Sequence, residues 1–155
     1  MPQSHELKLG RTFGVTFDHE EDFLDGLTRF CESVGVRQAY IPMFLAGFLS
    51  VEVVGTCEKV ETPMTPIRGR VYLENVEVMG IATIAPEHGT DRLMPHVHVS
   101  LGLKGQGATA FTSHLLSAQV QVVAEMLVIE VESPQMARVR NPNDVPLLTF
   151  LTPNA

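Results

Sequence analysis

The segment 96–101 constrains the fold most strongly, because its side chains alternate between polar and apolar from one residue to the next. Successive side chains of an extended strand point to opposite faces, so a period of two predicts a β-strand with two unlike faces. The polar face carries His96, His98 and Ser100, and the apolar face carries Val97, Val99 and Leu101. One face of this strand therefore packs into a core, while the other presents two imidazoles.

A third histidine follows the strand. Residues 102–107 contain three glycines, a composition typical of a chain reversal, which would bring His114 back towards the same polar face. Three neutral imidazoles with an open fourth position suit a tetrahedral zinc ion, and imidazole also binds copper, iron and nickel. We predict that His96, His98 and His114 together bind zinc or another divalent transition metal.

Histidines on a strand are also compatible with a plainer interpretation. An exposed pair spaced as His96 and His98 can consist of two solvated side chains, because histidine is common on protein surfaces as well as in metal sites. The remaining histidines are His5, His19 and His88, which lie in a polar tail, an acidic segment and a turn-like segment. We expect these three to be solvent-exposed, with only His88 close enough in sequence to compete as a ligand.

The composition predicts one soluble domain. The chain has 155 residues, 45% of them hydrophobic, which is enough for a core of its own. It contains no run of roughly 18 apolar residues and no apolar segment near the start, so we expect a cytoplasmic protein that does not contact membranes. Cys31 and Cys57 are too few for a disulfide framework or a cysteine zinc site, and we expect both to be reduced.

The charge argues against direct DNA binding. A formal net charge of -7 is unfavourable for contact with phosphates, which proteins bind mainly through lysine and arginine. The segment 68–70, Arg-Gly-Arg, resembles the core of an AT-hook, a motif that places arginines in a narrow minor groove. Strand-forming residues follow it where such a motif needs a flexible basic arm. We expect direct DNA binding to be weak or absent.

One helix stands out near the start of the chain. Asp18 and Glu21 have the spacing of a capping box, and Gly35 suits the reversal at a helix C-terminus. The residues between them include an apolar stripe at helical spacing. This stripe consists of Phe23, Leu24, Leu27, Phe30, Cys31 and Val34.

Strands dominate the rest of the chain. Segment 11–17 alternates as a first strand, and further strands are predicted over residues 38–41, 44–55, 70–73, 75–84, 96–101 and 119–131. The stretch from Ser133 contains four prolines and few periodic apolar positions, so we expect it to wrap over the surface without regular structure.

The order of these elements and their motifs resembles a known family. The segments that carry the likeness are Phe-Leu-Ala-Gly-Phe-Leu-Ser-Val at 44–51, Leu-Glu-Asn-Val-Glu-Val-Met-Gly-Ile-Ala at 73–82, His-Val-His-Val-Ser-Leu at 96–101 and His-Leu-Leu at 114–116. Together they resemble the plants and prokaryotes conserved domain, or PPC domain. The spaced histidines are the most specific part, and Gly80 adds to it.

The resemblance implies a compact single domain of the α/β (α+β) class, with a mainly antiparallel sheet and one principal helix. It assigns residues 11–145 to the domain and residues 1–10 and 146–155 to terminal extensions. It also implies a homotrimer and, as in several prokaryotic members, a metal held by His96, His98 and His114. The family often has two glycines immediately before the third histidine, where this chain has Thr112 and Ser113.

Two functions remain open at this stage. In the first, the metal centre supports catalysis or binds a small ligand, with Glu125 as the candidate acid or base and Glu87 and His88 as weaker ones. For Glu125 itself, we favour a structural carboxylate that orients a ligand histidine or pairs with an arginine. In the second, the chain is a DNA-associated regulatory module that acts through oligomerisation and protein partners, with the metal stabilising the trimer.

Overall fold

The computed structural model describes residues 3–55, 69–142 and 144–151. Over these residues the chain forms seven strands and one helix of 12 residues, so the sheet dominates more than a balanced α/β class implies. In chain order the elements are β1 (Lys8–Asp18), α1 (Phe23–Val34), β2 (Ala39–Val54), β3 (Arg70–Pro86), β4 (Leu93–Gly102), β5 (Ala110–Ser133), β6 (Gln135–Arg140) and β7 (Pro146–Leu151).

The strands pair antiparallel, which confirms the expected sheet type. Five of them form one sheet in the order β1-β5-β2-β3-β4, and β5 also pairs with β4. This extra pairing joins β5, β2, β3 and β4 into a ring. The remaining two strands, β6 and β7, form a separate two-stranded sheet.

The core lies on the inward faces of these strands. On β4 the side chains of Val97, Val99 and Leu101 are at most 1% exposed, as the alternating pattern predicts. The predicted stripe of α1 packs against this core, where the Phe23 ring lies 4.9 Å from Phe44 between centroids. Residues of β4 that alternate with the core positions, the histidines among them, consequently face outward.

The prediction for α1 is confirmed at its C-terminus and wrong at its N-terminus. Gly35 ends the helix as predicted, with a φ of 72° and its N–H directed to the carbonyls of Cys31 and Glu32. The predicted N-cap was wrong, because β1 continues through Asp18 and the Asp22 side chain caps the helix by accepting from the Asp25 N–H at 2.8 Å. Glu21 still accepts a hydrogen bond from the Asp18 N–H, at 3.0 Å.

Several predicted strands are parts of longer ones. The segments 38–41 and 44–55 fall on β2, whose pairing shifts register between Ile41 and Phe44. The segments 70–73 and 75–84 fall on β3. Strand β5 begins at Ala110, nine residues before the predicted start, so that His114 lies within it.

The expectation of an irregular C-terminal stretch was wrong. Residues 135–140 and 146–151 pair as the antiparallel hairpin of β6 and β7. Pro134 and Pro142 lie between strands, and Pro146 is the first residue of β7, a position at which a strand tolerates proline. The two segments expected as terminal extensions therefore contain regular structure. Strand β1 begins at Lys8, within 1–10, and β7 lies within 146–155.

Other sequence expectations concern single residues. Cys31 is a free thiol at 0% exposure, and burial raises its pKa to about 11, so it behaves as a small core side chain. Cys57 lies outside the described residues.

The Arg-Gly-Arg segment is described only in part, because Arg68 lies outside the described residues. Arg70 is part of β3 and donates to the Glu52 carboxylate at 3.1 Å, as expected of a strand residue. Among the described residues, no helix has the length and apolar character needed to span a bilayer.

Gly80 on β3 provides a test of the packing between β3, the neighbouring histidine strand β4 and the Phe44 ring. A Cβ at this position would lie 2.3 Å from Phe44 Cζ and 2.8 Å from the His98 carbonyl oxygen. We expect Gly80→Ala to destabilise the protein by about 1 to 3 kcal/mol, because both neighbours must move. Urea unfolding measures this loss, with Gly14→Ala as the control, since a Cβ there meets no atom within 4 Å. Equal stability of the two variants would contradict the packing.

Candidate metal centre

The pairing of β4 with β5 brings the three histidines together. His98 lies directly opposite His114, and His96 is two residues along β4 on the same face. The connection between the strands is the predicted glycine-rich reversal, in which Gly105 and Gly107 adopt φ angles of 76° and 57° that favour glycine. The predicted convergence of the three imidazoles is thus present in the structure.

The rings form a compact cluster on the outer face of the sheet. The Nε2 atoms of His96 and His98 are 3.2 Å apart, and one nitrogen from each of the three histidines lies within 4.8 Å of the others. His96 and His114 are partly buried, whereas His98 is exposed. The site is therefore anchored in the sheet on one side and open to solvent on the other.

The donor set fits a tetrahedral metal. Two imidazole nitrogens bound to one zinc ion at about 2.0 to 2.1 Å are roughly 3.3 Å apart, close to the separation of His96 and His98. The third nitrogen lies within 4.8 Å of these two, so a small movement of its ring would bring it into the same range. The cluster contains no carboxylate among the described residues, so three neutral ligands leave the fourth position of such an ion open.

The surroundings of His96 and His114 keep these two rings neutral. Burial lowers the pKa of His96 to about 4, and the positive charge of Arg138 and the neighbouring His114 and His98 act in the same direction. Burial also lowers the pKa of His114, and the nearby His98 and Arg138 lower it further. Neutral imidazole is the form that donates a lone pair to a metal, so these two rings are ready to ligate at neutral pH.

Residues that the sequence did not single out surround the histidines. Tyr40 on β2 and His96 on β4 both pair with Thr83 on β3, which places the three side chains in one row across the sheet. Arg138 on β6 is 3% exposed and donates from Nη2 to the Thr83 carbonyl at 3.2 Å and to the Thr83 hydroxyl. The sequence around Arg138 gives no sign of this role, because an arginine in a proline-rich stretch is typical of a protein surface.

The candidate acid Glu125 lies away from the histidines. It lies on β5 eleven residues beyond His114, past the stretch 110–114 that pairs with β4, and its neighbour on β2 is Leu45. The exposed Glu125 carboxylate lines a different cavity, of about 600 Å³, which includes Met79 and Ser100 but none of the three histidines.

The weaker candidates have other contacts. Glu87 accepts from Arg140 Nε at 3.0 Å and from the Thr90 hydroxyl at 2.9 Å, and these bonds lower the pKa of its carboxyl. His88 is exposed and lies outside the histidine cluster. Among the other histidines, His5 stacks on Phe150 and His19 accepts a hydrogen bond from the Val122 N–H at 3.1 Å.

Thr112 and Ser113 are accommodated beside the centre without loss of strand pairing. Regular pairing continues from His98 opposite His114 to the end of β4. The Thr112 hydroxyl donates to the Ser100 hydroxyl at 3.2 Å, and the Ser113 hydroxyl donates to the Val54 carbonyl at 2.6 Å. Side chains at these two positions therefore leave the register of His114 intact.

Comparison with known proteins agrees with this architecture. The family model described as the Plants and Prokaryotes Conserved (PCC) domain matches residues 4–132. The chain belongs to this family. We refer to it below as a PPC domain, the other abbreviation in use. A comparison with curated proteins gives no match.

Solved structures share the fold of this PPC domain. A PPC protein from Pyrococcus horikoshii superimposes with a TM-score of 0.79 at 22% identity, covering 97% of this chain and 99% of that one. A metal-containing protein from Archaeoglobus fulgidus gives 0.73 at 19% identity, covering 97% and 100%. A candidate DNA-binding protein from Bacteroides thetaiotaomicron gives 0.72 at 17% identity, covering 94% and 99%.

Proposed function

We propose that this PPC domain binds a divalent transition metal, with zinc as the best fit, through His96, His98 and His114. The observation that carries the proposal is the convergence of three imidazoles within 4.8 Å on one face of a strand pair. The metal-containing protein from Archaeoglobus fulgidus, which shares the fold, adds support. A zinc ion held in this way acts as a Lewis acid towards a ligand oxygen at its fourth position.

The open position favours ligand binding over acid–base catalysis by Glu125. A general base must lie within hydrogen-bond reach of the group from which it takes a proton. Glu125 lines a separate cavity, and no carboxylate of the described residues joins the histidine cluster. The proposed function is therefore a metal-dependent site for a small ligand. The metal content of the isolated protein tests it, as set out at the end of the Discussion.

We also propose that the protein is a homotrimer, as the resemblance to the PPC domain implies, and the apolar outer face of its sheet supports self-association. Leu45, Met79 and Val122 are 45%, 62% and 76% exposed and line one surface, and apolar patches of this kind mark interaction surfaces. We expect sedimentation to give a species of three times the 17.0-kDa chain mass at micromolar concentration.

A charge introduced on this face tests the same surface. Met79→Lys should shift the protein towards a smaller species, because a solvated ammonium is costly to bury in an apolar interface. Ser33→Lys, at an exposed position of α1 and not on the outer face of the sheet, is the control and should leave the assembly unchanged. A 17.0-kDa species alone in the unmodified protein would refute the trimer.

The alternative is a regulatory module that acts through protein partners. The candidate DNA-binding protein from Bacteroides thetaiotaomicron shares the fold, which is the observation in its favour. The net charge of -7 opposes a direct role of this chain on DNA. Titration of duplex DNA at moderate salt separates the two functions, with weak or no binding expected. A submicromolar complex that resists salt would favour the alternative.

A further inference from the structure

Arg138 is a buried cation without a buried counter-charge. Its residue is 3% exposed, and among the described residues it forms no ion pair with a carboxylate. Its Nε–H is buried and finds no acceptor among those residues. Glu87 lies beside the Arg138 backbone, but its carboxylate bonds Arg140 and Thr90. A buried charge without a partner is costly, so this guanidinium favours an anion nearby.

Thr83 connects this charge to the metal centre. Its hydroxyl accepts a hydrogen bond from Arg138 Nη2, and a hydroxyl carries one donor besides its acceptor sites. No described residue accepts from the Thr83 hydroxyl, whose proton is therefore available to a ligand. Thr83 pairs with His96 across the sheet and lines the same cavity as His96 and His98.

The cavity has the size and lining of a site for a small organic molecule. Its volume of about 410 Å³ lies in the range of small-molecule pockets. Four of its lining residues are apolar and four carry polar or titratable side chains, and Thr83 lies between Tyr40 and His96 across the sheet. The lining residues are Tyr40, Ile41, Pro42, Ile81, Ala82, Thr83, His96 and His98.

We propose that this cavity binds a small organic carboxylate, with one oxygen at the open metal position and one accepting a hydrogen bond from Thr83. Arg138 is the positioning residue, which holds the Thr83 hydroxyl and supplies the buried positive charge. A divalent ion with three neutral ligands beside a guanidinium gives the site a charge of three, and no described carboxylate balances it. The apolar walls of Pro42 and Ile81 favour an aliphatic chain on the ligand. This inference rests on the metal centre proposed above.

The test uses the full chain loaded with Co²⁺, whose visible absorption reports changes in coordination. We expect butyrate to shift this absorption in a saturable manner, while butyramide, similar in shape but neutral, leaves it unchanged. Thr83→Val and Arg138→Met should each weaken the apparent affinity for butyrate by about tenfold or more, as expected for a hydrogen bond or charge contact with an anion. Co²⁺ affinity should change much less, because all three histidines remain.

Two control variants match these substitutions. Arg140→Met removes the same charge from the same strand at a solvent-exposed side chain, and Thr16→Val makes the same change on β1. Both should bind butyrate like the unmodified protein. If Arg138→Met does not fold, Arg138→Lys retains the charge and Thr83→Val leaves the arginine in place, so these two variants decide the outcome.

Each other result has a distinct meaning. Absence of the Co²⁺ absorption band would overturn the metal centre itself. A normal band that does not respond to butyrate would overturn the carboxylate site and leave the metal centre standing. A response to phosphate or sulfate at lower concentration than butyrate would show that the ligand is an inorganic anion. Unchanged butyrate affinity in both Thr83→Val and Arg138→Met would show that these residues do not form the site.

Discussion

Alanine at His96, His98 or His114 should weaken zinc binding by well over about 100-fold, since loss of a direct ligand exceeds the 10- to 100-fold effect of changing a residue that merely supports one. The three rings act as one unit, and two imidazoles cannot complete the site that three form. His98→Ala is the cleanest variant, because the side chain is exposed and its removal leaves no core cavity. Competition with a chromophoric chelator measures the affinity.

Histidines outside the cluster provide the controls. His5→Ala and His19→Ala should bind zinc like the unmodified protein, since one ring stacks on Phe150 and the other accepts from a backbone N–H. Unchanged zinc affinity in all three ligand variants would show that the site is wrong. Loss of zinc without loss of the oligomer or of thermal stability would exclude a structural role and favour an open ligand-binding site.

Leu27→Ala should destabilise the protein by about 2 to 5 kcal/mol, the range for removing a fully buried leucine. Leu27 is at 0% exposure on the apolar face of α1, where the helix packs on the sheet. The loss combines the burial of the removed methyl groups with the cavity that remains. Urea unfolding should be compared at equal protein concentration, because assembly adds to apparent stability.

The opposite face of the same helix supplies the control for Leu27. Glu32 is exposed, and Glu32→Ala should change the free energy of unfolding by no more than about 0.5 kcal/mol. A loss below about 1 kcal/mol in Leu27→Ala would mean that the buried face of α1 has been misassigned.

Elements with a strong local pattern were predictable from the sequence. The alternation on β4 reflects one buried and one outward face, and the stripe of α1 reflects a single buried side. The glycine-rich reversal was readable because positive φ angles favour glycine. The alternation and the reversal were sufficient to predict that His96, His98 and His114 come together, without knowledge of the whole sheet.

The rest depended on contacts distant in sequence. The hairpin of β6 and β7 was missed because its four nearby prolines and few periodic apolar positions predicted an irregular surface segment. Arg138 is buried, and its side chain donates to Thr83, 55 residues away in sequence. The position of Glu125 follows from register, because only residues 110–114 of β5 pair with the histidine strand and Glu125 lies eleven residues beyond His114. Periodicity reveals which face a residue occupies, but the register between strands decides which residues share a site.

The metal content of the untagged protein tests the central claim most directly. Elemental analysis of protein purified without a histidine tag and without chelators should find one transition metal ion per chain, with zinc expected. Protein stripped by a chelator should then take up one equivalent of Zn²⁺ per chain, and His98→Ala should take up none at the same concentration. A native protein without metal, whose stripped form also binds no stoichiometric Zn²⁺, would contradict the three-histidine centre.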